Sequence, residues 1–158
     1  VIDMQNEKYI LVIADESREM EVALQYACAR SKKTNRKIII ATFIEPLDVL
    51  TTQGVTEIMQ TEAREEAESK LQQASSIVKA STGVMPVLHV REGEVIPELI
   101  KLIEEEKNIN VLVLAANVDE KGPGPIISSL VSKEYSRLRI PVMIVPGNFS
   151  IDHISLIT

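Results

Sequence analysis

The sequence predicts an α/β domain built on a parallel sheet, and three observations point to it. Short apolar runs alternate with stretches of helical period along the whole chain. Several runs, Ile38-Ile39-Ile40 and Val111-Leu112-Val113-Leu114 among them, are apolar at every position, as strands covered by helices on both faces must be. Finally, 158 residues suit one domain whose core buries roughly 70% of the unfolded surface without metal or disulfide staples. The single cysteine, Cys28, offers no staple and suits a reducing compartment, so the cytoplasm is the expected location.

Five strands are expected in order. Tyr9 to Ala14 is the first, Lys37 to Ile44 the second, Val87 to Arg91 the third, Val111 to Ala115 the fourth and Val142 to Val145 the fifth. Between the first two, Ser17 is placed to cap a helix running to about Lys33, with Met20, Ala23, Leu24, Ala27 and Cys28 on one stripe and Lys32-Lys33 at its negative end. A second helix spans about Thr56 to Ser81. Its apolar positions Met59, Ala63, Ala67, Leu71, Ala74 and Val78 recur every three or four residues, and Gly83 marks its stop. The third follows Gly93, buries Ile96, Leu99, Ile100 and Ile103, and accepts Pro97 in its first turn. The fourth starts near Pro125 and carries Ile126, Ile127, Leu130, Val131, Tyr135 and Leu138. Residues 45–56 and 116–125 are longer connections at the carboxyl ends of strands, the side on which open α/β sheets bind ligands. The tail 147–158 reads as either an added edge strand or a disordered end.

Composition excludes several functions. Seventeen basic against 23 acidic residues give a net charge of −6, and aromatics are scarce, with no Trp, three Tyr and two Phe. Nucleic-acid binding needs phosphate neutralisation or stacking platforms, so none is expected. No apolar stretch is long enough to span a membrane, and Val1-Ile2-Asp3-Met4 lacks the basic flank and long apolar run of a signal peptide. His89 and His153 lie far apart without cysteine partners, which predicts no metal site. Ser17 has no recognisable histidine base, so no hydrolase triad forms. A phospho-receiver would need an aspartate after the third strand and a lysine after the fifth, where Arg91-Glu92 and Pro146-Gly147 stand. Lys121-Gly122 follows no Gly-x4-Gly-Lys pattern, so it is not a P-loop.

Four segments carry a resemblance: Ile10 to Ser17, Val90 to Ile100, Val111 to Ser132, and Ile140 to Pro146. In this order and spacing the chain resembles the universal stress protein family from about Lys8 to Pro146. The resemblance implies a three-layer α/β/α domain on a five-strand parallel sheet in the order 3-2-1-4-5, the adenine nucleotide alpha-hydrolase-like architecture. In that order a crevice opens between the carboxyl ends of the first and fourth strands. By position, Asp15, Phe43 and Gly93 match the residues that surround adenosine in family members that bind ATP.

The family's phosphate motif is Gly-x2-Gly-x9-Gly-[Ser/Thr], in which glycines let backbone N–H groups approach phosphate and supply positive φ. Here the ungapped match places Ala115, Val118 and Ser128 at the glycine positions and Ser129 at the hydroxyl position. A β-branched Val118 resists positive φ. The resemblance therefore implies a non-enzymatic, dimeric stress-response module that binds ATP weakly or not at all, acts through an unidentified protein partner, and pairs with its own copy through the edge strand Val142 to Val145. The alternative is an adenine-nucleotide sensor using the Asp15 crevice, with Gly122 and Gly124 replacing the lost glycines.

Overall fold

A computed structural model of the chain describes residues 7–15, 17–46 and 53–158. The element order is β1 Tyr9–Ile13, α1 Met20–Thr34, β2 Lys37–Ile44, α2 Gln53–Thr82, β3 Val87–Glu92, α3 Val95–Glu105, β4 Ile109–Ala116, α4 Pro125–Ser129, β5 Val142–Pro146 and α5 Ile151–Ile157. The strands form one sheet in the order β3-β2-β1-β4-β5, with every pairing parallel. Fold class, sheet order and all five strands follow the sequence reading. Alternate residues of each strand face opposite layers. Ile10, Val12, Ile38 and Ile40 pack on the α1 and α2 side with Leu24, Ala27, Cys28, Leu71 and Val78, while Leu11, Ile39 and Leu112 pack on the other with Leu99, Leu102, Ile103 and Leu130. Burial pushes the Cys28 thiol pKa up, so its place is in the core.

Helix ends have local causes. Asn35 ends α1 in the left-handed region at φ 59°, and Gly83 ends α2 at φ 77°. At the end of α3, Glu104-Glu105-Glu106 puts negative charge where the helix dipole disfavours it. Arg139 answers this by donating from Nη2 to the carbonyls of Ile103, Glu106 and Ile109 at 2.7–3.1 Å.

Four expectations require correction. Ser17 does not cap α1: its hydroxyl donates to Asp15 at 2.6 Å, and the helix begins after a turn at Glu19 without a side-chain cap. The buried stripe of α2 comprises Ala67, Leu71, Ala74 and Val78, whereas Met59, in the first third of the helix, is exposed with Val55 and Ile58. The fourth helix is α-helical only over Pro125–Ser129, then widens to a π turn at Leu130–Glu134 and tightens to a 3-10 turn at Tyr135–Arg137. That change of pitch rotates the apolar stripe, so Val131 and Tyr135 are 57% and 66% exposed. Lastly, the tail is neither a strand nor disordered. It forms α5, capped by Ser150, whose Oγ accepts the His153 N–H, and docked on α1 through buried Ile154.

β5 pairs with β4 on one side only, leaving its other edge open with Met143 and Ile144 exposed. Beside it, Leu130, Val131, Tyr135, Leu138, Val142 and Ile144 line an apolar groove of about 500 Å³.

Candidate functional site

The sheet order sets β1 and β4 side by side, with their following segments diverging. Beyond β1, the Ala14 N–H still donates to the Ala41 carbonyl at 2.8 Å, and the Thr42 hydroxyl donates to the Ala14 carbonyl at 2.9 Å. These bonds fix the half-buried Asp15 at the mouth of the gap. Its Oδ1 accepts both the Ser17 N–H at 2.9 Å and the Ser17 hydroxyl. On the other side, β4 runs out at Ala115-Ala116, and the loop that follows turns through Gly122 and Gly124, at φ 93° and 110°, into Pro125 at the first turn of α4. The resulting cleft holds about 230 Å³. Ile13, Met20 and Ile127 supply apolar walls, and Asp15, Glu19 and Asn117 supply polar groups.

Of the residues proposed from sequence, the structure brings Asp15 and Ala115 together in this cleft. Phe43 packs at the end of β2 against the core layer containing Ile39 and Leu112. Gly93 and Ser129 line two neighbouring hollows of about 640 and 360 Å³. Gly93 has its own reason to be glycine: φ is 143°, its N–H donates to the Ile44 carbonyl at 2.9 Å, and a Cβ would stand 2.7 Å from Glu98 Cγ. Val118 is 55% exposed and Ser128 is exposed, and neither lines the cleft.

Sequence reasoning missed Gly147 and Asp119. Gly147 donates its N–H to the Ala116 carbonyl at 2.8 Å, with the Glu19 side chain packed against it, and so ties the end of β5 to the cleft. No spacing signal marks it. Asp119 organises the loop after β4: its Oδ1 accepts the Lys121 N–H at 2.8 Å and the Asn117 Nδ2–H at 2.7 Å. The pattern Asn117-Val118-Asp119 is the sequence signal for such a turn.

The cleft and the two hollows share lining residues and form one band along the carboxyl edge of the sheet. Among the described residues, Asp15, Glu19, Glu45, Glu57, Glu92 and Glu94 line it, against one cation, Arg64, which pairs with Glu92 at 2.7 Å. Helix N-termini at this edge attract anions through their partial positive charge, and here carboxylates already complement that charge. The opposite edge carries a cavity of about 820 Å³ with Lys8, Lys32, Arg36 and Lys37 around it. Lys32 and Arg36 stand at the carbonyl end of α1, where the dipole favours them, and Lys37 pairs with Glu7 at 2.7 Å. Among the described residues no cluster of His, Cys, Asp and Glu is arranged to hold a metal ion, and no helix is long and apolar enough to cross a membrane.

Comparison with solved structures matches this architecture. Universal stress protein UspA from Lactobacillus plantarum superposes with a TM-score of 0.72 at 14% identity, covering 89% of this chain and 98% of its own. A universal stress protein solved in complex with cAMP gives 0.63 at 21% identity, covering 90% and 99%. A third, from Archaeoglobus fulgidus in complex with dAMP, gives 0.61 at 18% identity, covering 89% and 98%. No curated protein sequence matches the chain. The model of the universal stress protein family matches residues 7–146, the five-strand core with its cleft, and the chain therefore belongs to the universal stress protein family.

Proposed function

We propose that this protein is a universal stress protein that works without holding ATP: a cytoplasmic, homodimeric regulatory module that acts by binding a partner protein and catalyses no reaction. The observation that carries this reading is the charge of the carboxyl edge, where among the described residues Asp15, Glu19, Glu45, Glu92 and Glu94 stand against one arginine, Arg64, paired with Glu92. A triphosphate brought there meets like charge and finds no lysine or arginine in the cleft lining.

A second reading rests on Asp15. Its carboxylate lines the cleft at the position that the family resemblance gives to an adenosine contact, and two structural relatives were solved with cAMP and dAMP. A nucleoside carrying at most one phosphate would suffer less of the repulsion. Mass spectrometry of the purified, undialysed protein, followed by calorimetric titration with ATP and AMP, separates the readings. The module reading expects no co-purifying nucleotide and weak or absent ATP binding. A nucleotide at near-equal stoichiometry overturns it in favour of the sensor.

A further inference from the structure

The amino edge of the sheet is charged in the opposite sense to the chain as a whole. Although the net charge is −6, the cavity of about 820 Å³ at this edge is lined by Lys8, Lys32, Arg36 and Lys37 and, among the described residues, by one carboxylate, Glu7. Glu7 is already taken: it pairs with Lys37 at 2.7 Å and accepts the Tyr9 hydroxyl at 3.0 Å. Among the described residues, Lys8, Lys32 and Arg36 have no ion-pair partner. The dipole of α1 accounts for Lys32 and Arg36, but neither for Lys8, which precedes β1, nor for the apolar rim beside these charges. That rim is built by the turn that leaves α2. Gly83 takes φ 77°, Lys79 Nζ donates to its carbonyl at 2.8 Å, and Thr82 Oγ1 accepts the Val84 N–H at 3.2 Å. Val84 and Met85 are thereby held exposed at the cavity. Asn110 lines the same cavity, and its Oδ1 is buried with no hydrogen-bond partner. An N–H donor entering the cavity would remove that cost.

We infer that this amino-edge cavity docks a partner protein through an acidic segment that also carries apolar residues. Docking here rests on the reading of a partner-binding module and gives that module its surface and the chemistry of its partner. Complementary charge draws the segment in, since the unpaired cations attract carboxylates that the acidic remainder of the surface repels. Lysines are point charges on flexible stems, so when spread around a rim they suit carboxylates distributed along a chain better than one phosphate that needs converging donors. Exposed apolar side chains inside a charged rim are the make-up of a protein interface. A peptide also brings the backbone N–H that the Asn110 acceptor lacks, which a phosphodiester chain does not. Among the described residues no aromatic side chain lines the cavity to stack a base.

The experiment is fluorescence anisotropy of a labelled peptide of repeated Asp-Glu-Leu triplets titrated with the full chain, with a neutral Asn-Gln-Leu counterpart and oligothymidylate as the other probes. The acidic peptide should bind, more weakly as salt rises, and the other two should not. Its amide NMR footprint should fall on Lys8, Arg36, Val84, Met85 and Asn110. The double variant Lys8→Gln/Arg36→Gln should weaken binding by roughly tenfold and Met85→Gln by roughly threefold, whereas Lys121→Gln, which removes a charge from the loop after β4, should leave it unchanged. No binding of the acidic peptide, a footprint elsewhere, folded variants that bind as the wild type does, or equal binding of oligothymidylate each overturns the inference. Should a variant lose its fold, the footprint on the wild-type chain decides alone. A nucleotide co-purifying at near-equal stoichiometry defeats the parent reading instead, whereas nucleotide-free protein that ignores the acidic peptide defeats only this surface.

Discussion

At the scale of single residues, two positions do work that their identity alone does not announce. Gly147 lies where a Cβ would sit 2.6 Å from the Ala116 carbonyl oxygen and would collide with the Glu19 side chain. Backbone cannot give way as a flexible side chain does. Gly147→Ala should therefore cost about 1–3 kcal/mol, read as a lower urea midpoint with an unchanged slope. The second position is Arg91, which bonds the Glu105 carboxylate and lies 3.8 Å from Glu98. The hydrogen bond from Arg91 holds the Glu105 pKa below its ordinary 4.5. A folded-state pKa below the unfolded value stabilises the native state above the unfolded pKa, and the gain is lost as pH falls through the folded one. Arg91→Gln should accordingly lower the thermal midpoint at neutral pH, with the difference shrinking below pH 4.5 as Glu105 protonates in both proteins. A difference that persists at strongly acid pH would mean that Arg91 acts through packing.

At the scale of elements, strands were legible because continuous apolar runs such as Val111 to Leu114 have one interpretation once helices flank them. Helix ends and faces were less so. Val131 and Tyr135 fit an ideal 3.6-residue period yet face outward, because the π turn at Leu130–Glu134 changes the pitch, and composition does not reveal pitch. The candidate site was half legible. Asp15 and Ala115 are named by the resemblance to the family's motif positions, whereas Asp119 and Gly147 matter through a loop conformation and a cross-strand approach that spacing does not encode. Helix α5 gives this scale its own test. Ile154 is its one buried side chain, at 3% exposure, and Phe149 packs edge-on to His153 just before it. Ile154→Ala should cost about 2–5 kcal/mol of docking energy. Because so short a helix does not persist alone, amide exchange over residues 150–158 should accelerate while β1 and β4 stay protected. Equal acceleration throughout would make α5 part of the global folding unit.

For the whole molecule, the open edge of β5 and the apolar groove beside it leave Met143, Ile144, Val131 and Tyr135 exposed in one region. Unpaired strand groups with apolar neighbours invite a second strand, and an isologous contact closes at two copies. Light scattering at micromolar concentration should report a dimer, and Ile144→Lys should convert it to a folded monomer. A wild-type monomer would leave this edge to a different protein. Because α5 docks on α1, deleting 150–158 should not be needed to expose that edge. The sheet order has a separate consequence for how the molecule is made. β1 is central, yet it leaves the ribosome before the other four strands, and its partner β4 begins only at Ile109. At about 5–20 residues per second the nascent chain carries β1 with one flank unpaired for roughly 5–20 s. Paired as in the finished sheet, Tyr9–Ile13 and Lys37–Ile44 would make an apolar ribbon open to any neighbouring nascent chain during that interval. Its yield in the cell should therefore depend on the protection of this half-built sheet during translation as well as on the stability of the finished one.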